Sequence, residues 1–357
     1  MRVGIPREIK TLEGRVGLIP AAAAELLRAG HEVFVETGAG VPSGYPDAAY
    51  AAFGIQVLPD APSLYAEAEV VVKVKEPQRE ELAFLRREHL LFCYLHLAAA
   101  PELLRALMDI GLTAVAFETV VESDRLPLLA PMSDIAGRIA VQVGAHLLHR
   151  PHGGKGLLLG GVPAAERGHV VVIGAGVAGG SATALAAALG AQVTVFDRNR
   201  DKLERVRALG ANVTALYPYA EQIAASVRQA DLLVGAVLIP GARAPKVVSA
   251  GLVGAMAPGS VLVDISVDQG GCVETTRPTT YAAPTYEHAG VVHFAVTNMP
   301  GAVPRSASQA LSAALIPYAL RLLQPGWESF PPLAGGVNVS AGEIRHPALL
   351  GVLESSA

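Results

Sequence analysis

The sequence predicts an α/β protein of two doubly wound parallel-sheet, Rossmann-like domains separated by a cleft. Three observations predict it. Short apolar runs alternate with helix-period segments along almost the whole chain, the pattern of parallel sheets. The composition is 51% hydrophobic but only 5% aromatic, and is rich in Ala, Gly and Val, which suits small-residue helices packed on sheets. At 357 residues the chain is long enough for two sizeable cores.

Charge and composition exclude several functional classes. A formal net charge of -4 gives no electrostatic case for nucleic acid or an anionic membrane. The two cysteines, Cys93 and Cys272, cannot build a disulfide framework, and no Cys/His spacing of a metal site appears. The first ten residues, MRVGIPREIK, read as a charged strand-like segment rather than a signal peptide. A soluble, cytoplasmic protein without a metal is expected.

In chain order, Arg2 to Pro6 reads as a strand, followed by a polar loop through Arg15. Pro20 opens a helix at a position that needs no N–H, and Gly30 ends it before a strand at His31–Glu36. Helices are expected near Asp47–Phe53, Ser63–Ala68, Glu80–Arg87 and Glu102–Ile110. They alternate with strands at Glu69–Val74, Leu90–Leu95 and Thr113–Phe117. A long helix follows from Ile135 to Leu148, with Ser133 or Asp134 as its cap. Glycine-rich residues 152–161 then form a loop.

From His169 to Asp197 the chain reads HVVVIGAGVAGGSATALAAALGAQVTVFD. This is strand, glycine turn, helix, strand and acid, the full dinucleotide-binding fingerprint. Gly174 permits the tight turn, Gly176 lets the backbone approach a pyrophosphate, and Gly179 lets the helix sit close to the strand. The helix N-terminus at Val177 and Ala178 offers N–H groups to phosphate. Asp197 can accept both ribose hydroxyls and would repel a 2′-phosphate, which favours NAD over NADP although Arg198 and Arg200 follow. Residues 170–196 carry no charge, so hydropathy alone would allow a membrane span; the glycines and small side chains favour a buried βαβ unit. Beyond Asp197, a helix near Arg200–Leu209 and strands at Asn212–Ala215, Leu232–Ala236, Val261–Ile265 and Val291–Val296 are expected. A helix from Ser306 to Leu323, bent at Pro317, packs back on the first domain, and the last ~30 residues are Pro/Gly-rich. The expected domains are therefore 1–128 with 303–357, and 129–302.

Ligands of open α/β sheets bind outside the carboxyl ends of the strands. That rule selects Lys73 and Lys75, His96, Asp268, and Asn298 with Met299. Each has an ordinary explanation: a strand-end lysine is usually solvated, a histidine among apolar residues is usually a core residue, and Asp before Gln-Gly-Gly suits a turn. Arg15 in a polar loop is by default a surface charge. Spacing alone does not rank Lys73 against Lys75, which share a face. Their joint arrangement beside the fingerprint is what points to a site.

The segments MRVGIPREIKTLEGRVGLIP, VVKVKEP, LFCYLHLAA, APMSDIAGR, GAGVAG, GAVLIPGARAPK, DISVDQGGCVETTRPTTY and TNMPGAVPRSAS together resemble the alanine dehydrogenase family, which shares its N-terminal motifs with transhydrogenases. The resemblance covers nearly the whole chain. It implies NAD-dependent, reversible oxidative deamination of L-alanine to pyruvate and ammonium by a homohexamer. It also implies that Arg15 binds the substrate carboxylate, that Lys75 binds its carbonyl or amino end, and that His96 and Asp268 form the acid/base pair. The cofactor set it implies is Ser133, the glycine turn from Gly174 to Gly179, Asp197, Lys202, Val237, Leu238, Asp268, Asn298 and Met299.

The chemistry suits these residue types. Imidazole can pass protons near neutral pH, an arginine fork can hold a carboxylate, and a lysine cation can stabilise charge on the substrate oxygen. Two other functions share the motifs: the NAD(H)-binding subunit of a proton-pumping transhydrogenase, and an NAD-binding sensor without catalysis.

Overall fold

The computed structural model describes residues 1–238 and 244–353; residues 239–243 of the GAVLIPGARAPK segment lie outside the described residues. The chain divides into two units, Met1–Met132 with Gly301–Ala357, and Ser133–Pro300. In chain order the strands are β1 (Arg2–Ile5), β2 (Glu32–Glu36), β3 (Gln56–Leu58), β4 (Val70–Val72), β5 (Leu90–Cys93), β6 (Thr113–Ala116), β7 (His169–Ile173) and β8 (Gln192–Phe196). They continue with β9 (Val213–Leu216), β10 (Leu232–Gly235), β11 (Val261–Asp264), β12 (Thr285–His288), β13 (Val291–Phe294), β14 (Val337–Ser340) and β15 (Glu343–Ile344).

In the first unit the sheet order is β15-β14-β6-β5-β4-β1-β2-β3, with β1 to β6 parallel. Strands β4 and β5 are buried throughout, as the Val/Leu-rich strands of a sheet covered on both faces must be. The chain turns from β1 to β2 on one side and later to β4 on the other. A crevice therefore opens outside the carboxyl ends of β1 and β4. The helix Pro304–Leu322 belongs to this unit and runs on through Pro317. Its Ser308 and Ser312 hydroxyls accept the Val16 and Ile19 N–H groups, each at 3.0 Å, and so hold the loop that carries Arg15.

The second unit has the order β12-β13-β11-β10-β7-β8-β9, parallel except for β12. Its reversal lies between β7 and β10, where the glycine turn leaves the sheet. Among the described residues no helix is long and apolar enough to cross a membrane.

The structure departs from the sequence reading in several places, and adds the strands β3 and β12. The expected helix at Glu80–Arg87 is a run of turns, with Glu81 N–H on the Gln78 carbonyl and Phe84 N–H on that of Glu81. The Glu81 side chain is drawn inward, onto Lys73 and the Gln78 N–H. The long helix begins at Ala130, because Pro131 suits a first turn; Ser133 and Asp134 are inside it rather than capping it, and Asp134 accepts the Ser181 hydroxyl instead. The Pro/Gly-rich end contains β14 and β15, which extend the first sheet antiparallel from β6.

Two buried histidines tie stability to pH. His89 accepts the Arg86 N–H at Nδ1 and faces the Tyr65 carbonyl through Nε2, so it is neutral with its proton on Nε2. His293 is fully buried between the Val291 carbonyl and the Thr275 hydroxyl. Burial pushes both imidazoles below their ordinary value. The unfolded chain thus binds more protons, and the stability these residues contribute is present above about pH 6.5 and is lost as pH falls below it. Thermal melts between pH 8 and 5.5 should show a falling midpoint, with a shallower fall in His293→Gln; equal slopes in the two proteins would contradict this account.

Candidate active site

The turn after β7 is built by backbone proximity. Gly174 has φ +104 and a Cβ there would stand 2.5 Å from the Ala236 carbonyl oxygen. A Cβ on Gly179 would stand 1.7 Å from the Gly174 oxygen, so the helix Val177–Ala188 sits directly on the turn. Around Gly176, in contrast, a Cβ would meet nothing within 4 Å. Open space therefore lies where the first-turn N–H groups of the helix have no intrahelical partner, which fits a dinucleotide pyrophosphate.

Asp197 follows β8. Its Oδ2 accepts the Ala175 N–H at 2.7 Å and its Oδ1 the Asn199 N–H at 2.8 Å. The carboxylate is thus fixed at the mouth of the glycine turn, and each oxygen retains a further acceptor site for a ribose hydroxyl. Asn199 caps the helix Arg200–Arg207 by accepting the Lys202 N–H. Ser133 lies beside Asp134, whose carboxylate meets Ser181 on the dinucleotide helix.

Val237 and the exposed Leu238 follow β10. After β11 the buried Asp264 accepts N–H groups from Ser266, Cys272 and Val273 at 3.0, 3.0 and 3.3 Å. Burial pushes its carboxyl up, while these bonds oppose the shift. Burial, with Asp264 beside it, also pushes the Cys272 thiol up to about 12. Asp264 closes the loop on which Asp268 stands exposed, in the short turn Ile265–Gln269. After β13, Asn298 has φ +61 and Met299 is buried, its carbonyl accepting the Tyr281 hydroxyl at 2.8 Å.

In the first unit Arg15 is 2% exposed and is no surface charge. Glu13 takes its Nε at 2.7 Å and Nη2 at 2.5 Å, and Nη1 lies 3.1 Å from Met132 Sδ. The two lysines after β4 differ sharply. Lys73 is fully buried between Glu8, at 3.0 Å, and Glu81, at 3.1 Å. Burial alone would depress its ammonium, but the two carboxylates reverse this and hold it above its ordinary value. Lys75 is half-buried.

His96 follows β5, which ends at Cys93 rather than Leu95. Its side chain is 48% exposed, so it is not a core histidine. Its backbone is left-handed, at φ 50, and its ring stacks on Tyr94. Glu118 accepts the His96 N–H at 2.6 Å and the Leu95 N–H at 3.2 Å, with His96 Nδ1 at 3.8 Å.

The first unit thus carries Arg15 on the loop after β1, Lys75 after β4 and His96 after β5, three adjacent strands. The second places the glycine turn, Asp197, Val237, Leu238, Asp268, Asn298 and Met299 at the carboxyl ends of its own strands. Sequence reasoning missed the carboxylates that hold these residues: Glu8, Glu13, Glu81, Glu118 and Asp264. Glu8, three residues past β1, Glu118, just past β6, and Asp264, the last residue of β11, stood where the strand-end rule looks.

The fold and its glycine turn define a two-unit α/β protein of the dinucleotide-binding class. The chain belongs to the alanine dehydrogenase/PNT family, whose N-terminal domain matches residues 4–136 and whose C-terminal domain matches residues 140–347. It is 48% identical over 355 residues to an alanine dehydrogenase of Bacillus subtilis strain 168, covering 98% of this chain and 94% of that one. It is also 48% identical over 350 residues to an alanine dehydrogenase of Mycobacterium tuberculosis strain H37Rv, covering 96% and 94%. Among solved structures it is similar to an L-alanine dehydrogenase, with a TM-score of 0.95, 50% identity and full coverage of both chains. It is also similar to a transhydrogenase of Sinorhizobium meliloti, with a TM-score of 0.85, 27% identity and coverage of 98% and 100%.

The glycine geometry makes a paired prediction. Gly179→Ala should lower NADH affinity about tenfold or more, since the helix must leave the turn it presents to phosphate. Gly180→Ala, where a Cβ would meet only Val206 Cγ1 at 3.9 Å, should bind normally and melt slightly higher, because Ala lowers unfolded-chain entropy. NADH fluorescence titration separates the two; equal affinities would refute the packing argument.

Proposed function

We propose that the protein is an NAD-dependent L-alanine dehydrogenase, catalysing L-alanine + NAD⁺ + H₂O ⇌ pyruvate + NH₄⁺ + NADH + H⁺. The observation that carries this reading is the Arg15, Lys75 and His96 set on three neighbouring strand ends of a chain that also holds a complete dinucleotide turn. The identity to alanine dehydrogenases supports it. The likeness to a transhydrogenase leaves a second reading, an NAD(H)-binding subunit, at lower identity.

Bound NAD accepts the hydride that leaves the substrate Cα. The rest falls to side chains of this chain. Arg15 holds the substrate carboxylate and so fixes Cα in place, with Glu13 orienting the guanidinium through Nε and Nη2. Lys75 stabilises negative charge on the substrate oxygen. His96 takes the proton that frees the amine and passes it to solvent. It then takes a proton from water as it adds to the imine carbon and gives it to the amino nitrogen; as the carbonyl forms, the hydroxyl proton leaves through His96 to the departing ammonia. Asp268 orients that water. Asp197 reads the unsubstituted ribose, with Ser133, Lys202, Val237, Leu238, Asn298 and Met299 completing the cofactor set. By family resemblance we further propose a cytoplasmic homohexamer, which light scattering on the purified protein tests.

The assay is NADH absorbance in both directions. NADH should form with NAD and L-alanine, and disappear only when pyruvate and ammonium are both supplied. His96→Ala should lower turnover by about 10²–10⁴ and leave NADH binding intact; near-normal turnover would remove His96 from the mechanism. Asp197→Ala should weaken NAD binding and relax discrimination against NADP. NADH binding without turnover in either direction would favour the subunit or sensor reading.

A further inference from the structure

The buried cluster of Glu8, Lys73, Glu81 and Tyr65 has no part in the chemistry above, yet it surrounds the backbone of Lys75. Glu8 Oε1 accepts the Val74 N–H at 2.6 Å and the Lys75 N–H at 3.3 Å, while its Oε2 accepts Lys73 Nζ at 3.0 Å. Three residues further on, Glu81 Oε2 accepts the Gln78 N–H at 2.7 Å, and Oε1 accepts the Tyr65 hydroxyl at 2.9 Å. Lys73, fully buried, lies between the two carboxylates. The segment that carries Lys75 is therefore tied down on both sides of that residue. Glu8 also stands on the loop that carries Arg15, and Lys10 of that loop pairs with Glu76.

We propose that Glu8 is a positioning residue of the substrate site: it sets the Lys75 backbone against the Arg15 loop, with Lys73 and Glu81 holding its carboxylate in place. This rests on the alanine dehydrogenase reading and adds a residue to it. Glu8 touches no substrate and acts through the N–H groups of Val74 and Lys75. The demand is for two acceptor oxygens at the correct reach, one for the N–H groups and one for Lys73.

Reach and charge are separated by two variants. Glu8→Gln keeps the chain length and an acceptor oxygen without the charge; Glu8→Asp keeps the charge and withdraws the acceptors by one methylene. For the wild type, NADH formation from NAD and L-alanine is measured first. The KM for pyruvate, kcat, NADH affinity and thermal midpoint follow for all three proteins. Glu8→Asp should raise the pyruvate KM about tenfold or more, since small misplacements of a substrate-holding group are costly, with NADH affinity unchanged. Glu8→Gln should raise that KM less, because its remaining oxygen still reaches the Val74 and Lys75 N–H groups, and should lower the thermal midpoint, because its amide faces the buried Lys73 ammonium.

A folded Glu8→Asp with the wild-type KM would overturn the proposal. Native-state hydrogen exchange in the wild type needs no variant: the Val74 and Lys75 amides should be protected, and exchange at unprotected rates would overturn it as well. If the wild type binds NADH but leaves alanine untouched, the functional reading fails, while the exchange result still decides the clamp.

Discussion

At Gly179 the helix Val177–Ala188 lies so close over the turn after β7 that only a glycine fits beneath the Gly174 carbonyl. The second unit depends on that approach. It aims the helix N-terminus into the open space at Gly176 and brings the Ala175 N–H within reach of Asp197. Because β7 stands where the sheet order reverses, the strand ends carrying Val237, Asp268 and Asn298 surround the same crevice. A dinucleotide site here is a consequence of backbone packing, with side chains added at its rim.

The first unit repeats the sheet order without a glycine turn and solves a different problem. Its loop from Pro6 to Ile19 has little regular structure, so its backbone groups need partners from elsewhere. Ser308 and Ser312 supply two from the C-terminal helix, and Glu8 ties the loop to the segment after β4. Two buried ion clusters result, Glu13–Arg15 and Glu8–Lys73–Glu81. Buried ion pairs add little net stability, because desolvation offsets their attraction. Their value here is geometric: they fix where Arg15 and Lys75 stand.

The glycine turn was legible because backbone constraints admit one residue type, and a fixed spacing of glycines has few other causes. The alternation of strands and helices was legible for the same kind of reason, as period. Burial of a charge was not. Lys73 and Lys75 look alike in sequence, but Lys73 meets two acids, Glu8 from the loop after β1 and Glu81 from the turns that follow β4. Glu8, Glu13 and Glu81 read as surface acids until the fold closes over them. Strand β14 alternates Val337, Asn338, Val339 and Ser340, a period-two signal hidden by the prolines and glycines around it. The left-handed backbone of His96, with Glu118 beneath its N–H, has no sequence mark at all.

The central claim is that this chain moves hydride from the Cα of alanine to a nicotinamide, and isotope transfer tests it most directly. The protein is incubated with NAD⁺ and L-alanine deuterated at Cα, and the reduced nucleotide is analysed by mass spectrometry. The account predicts one deuterium in each NADH formed, together with pyruvate in equal amount. NADH without deuterium, or no reduced nucleotide from a protein that still binds it, would contradict the account.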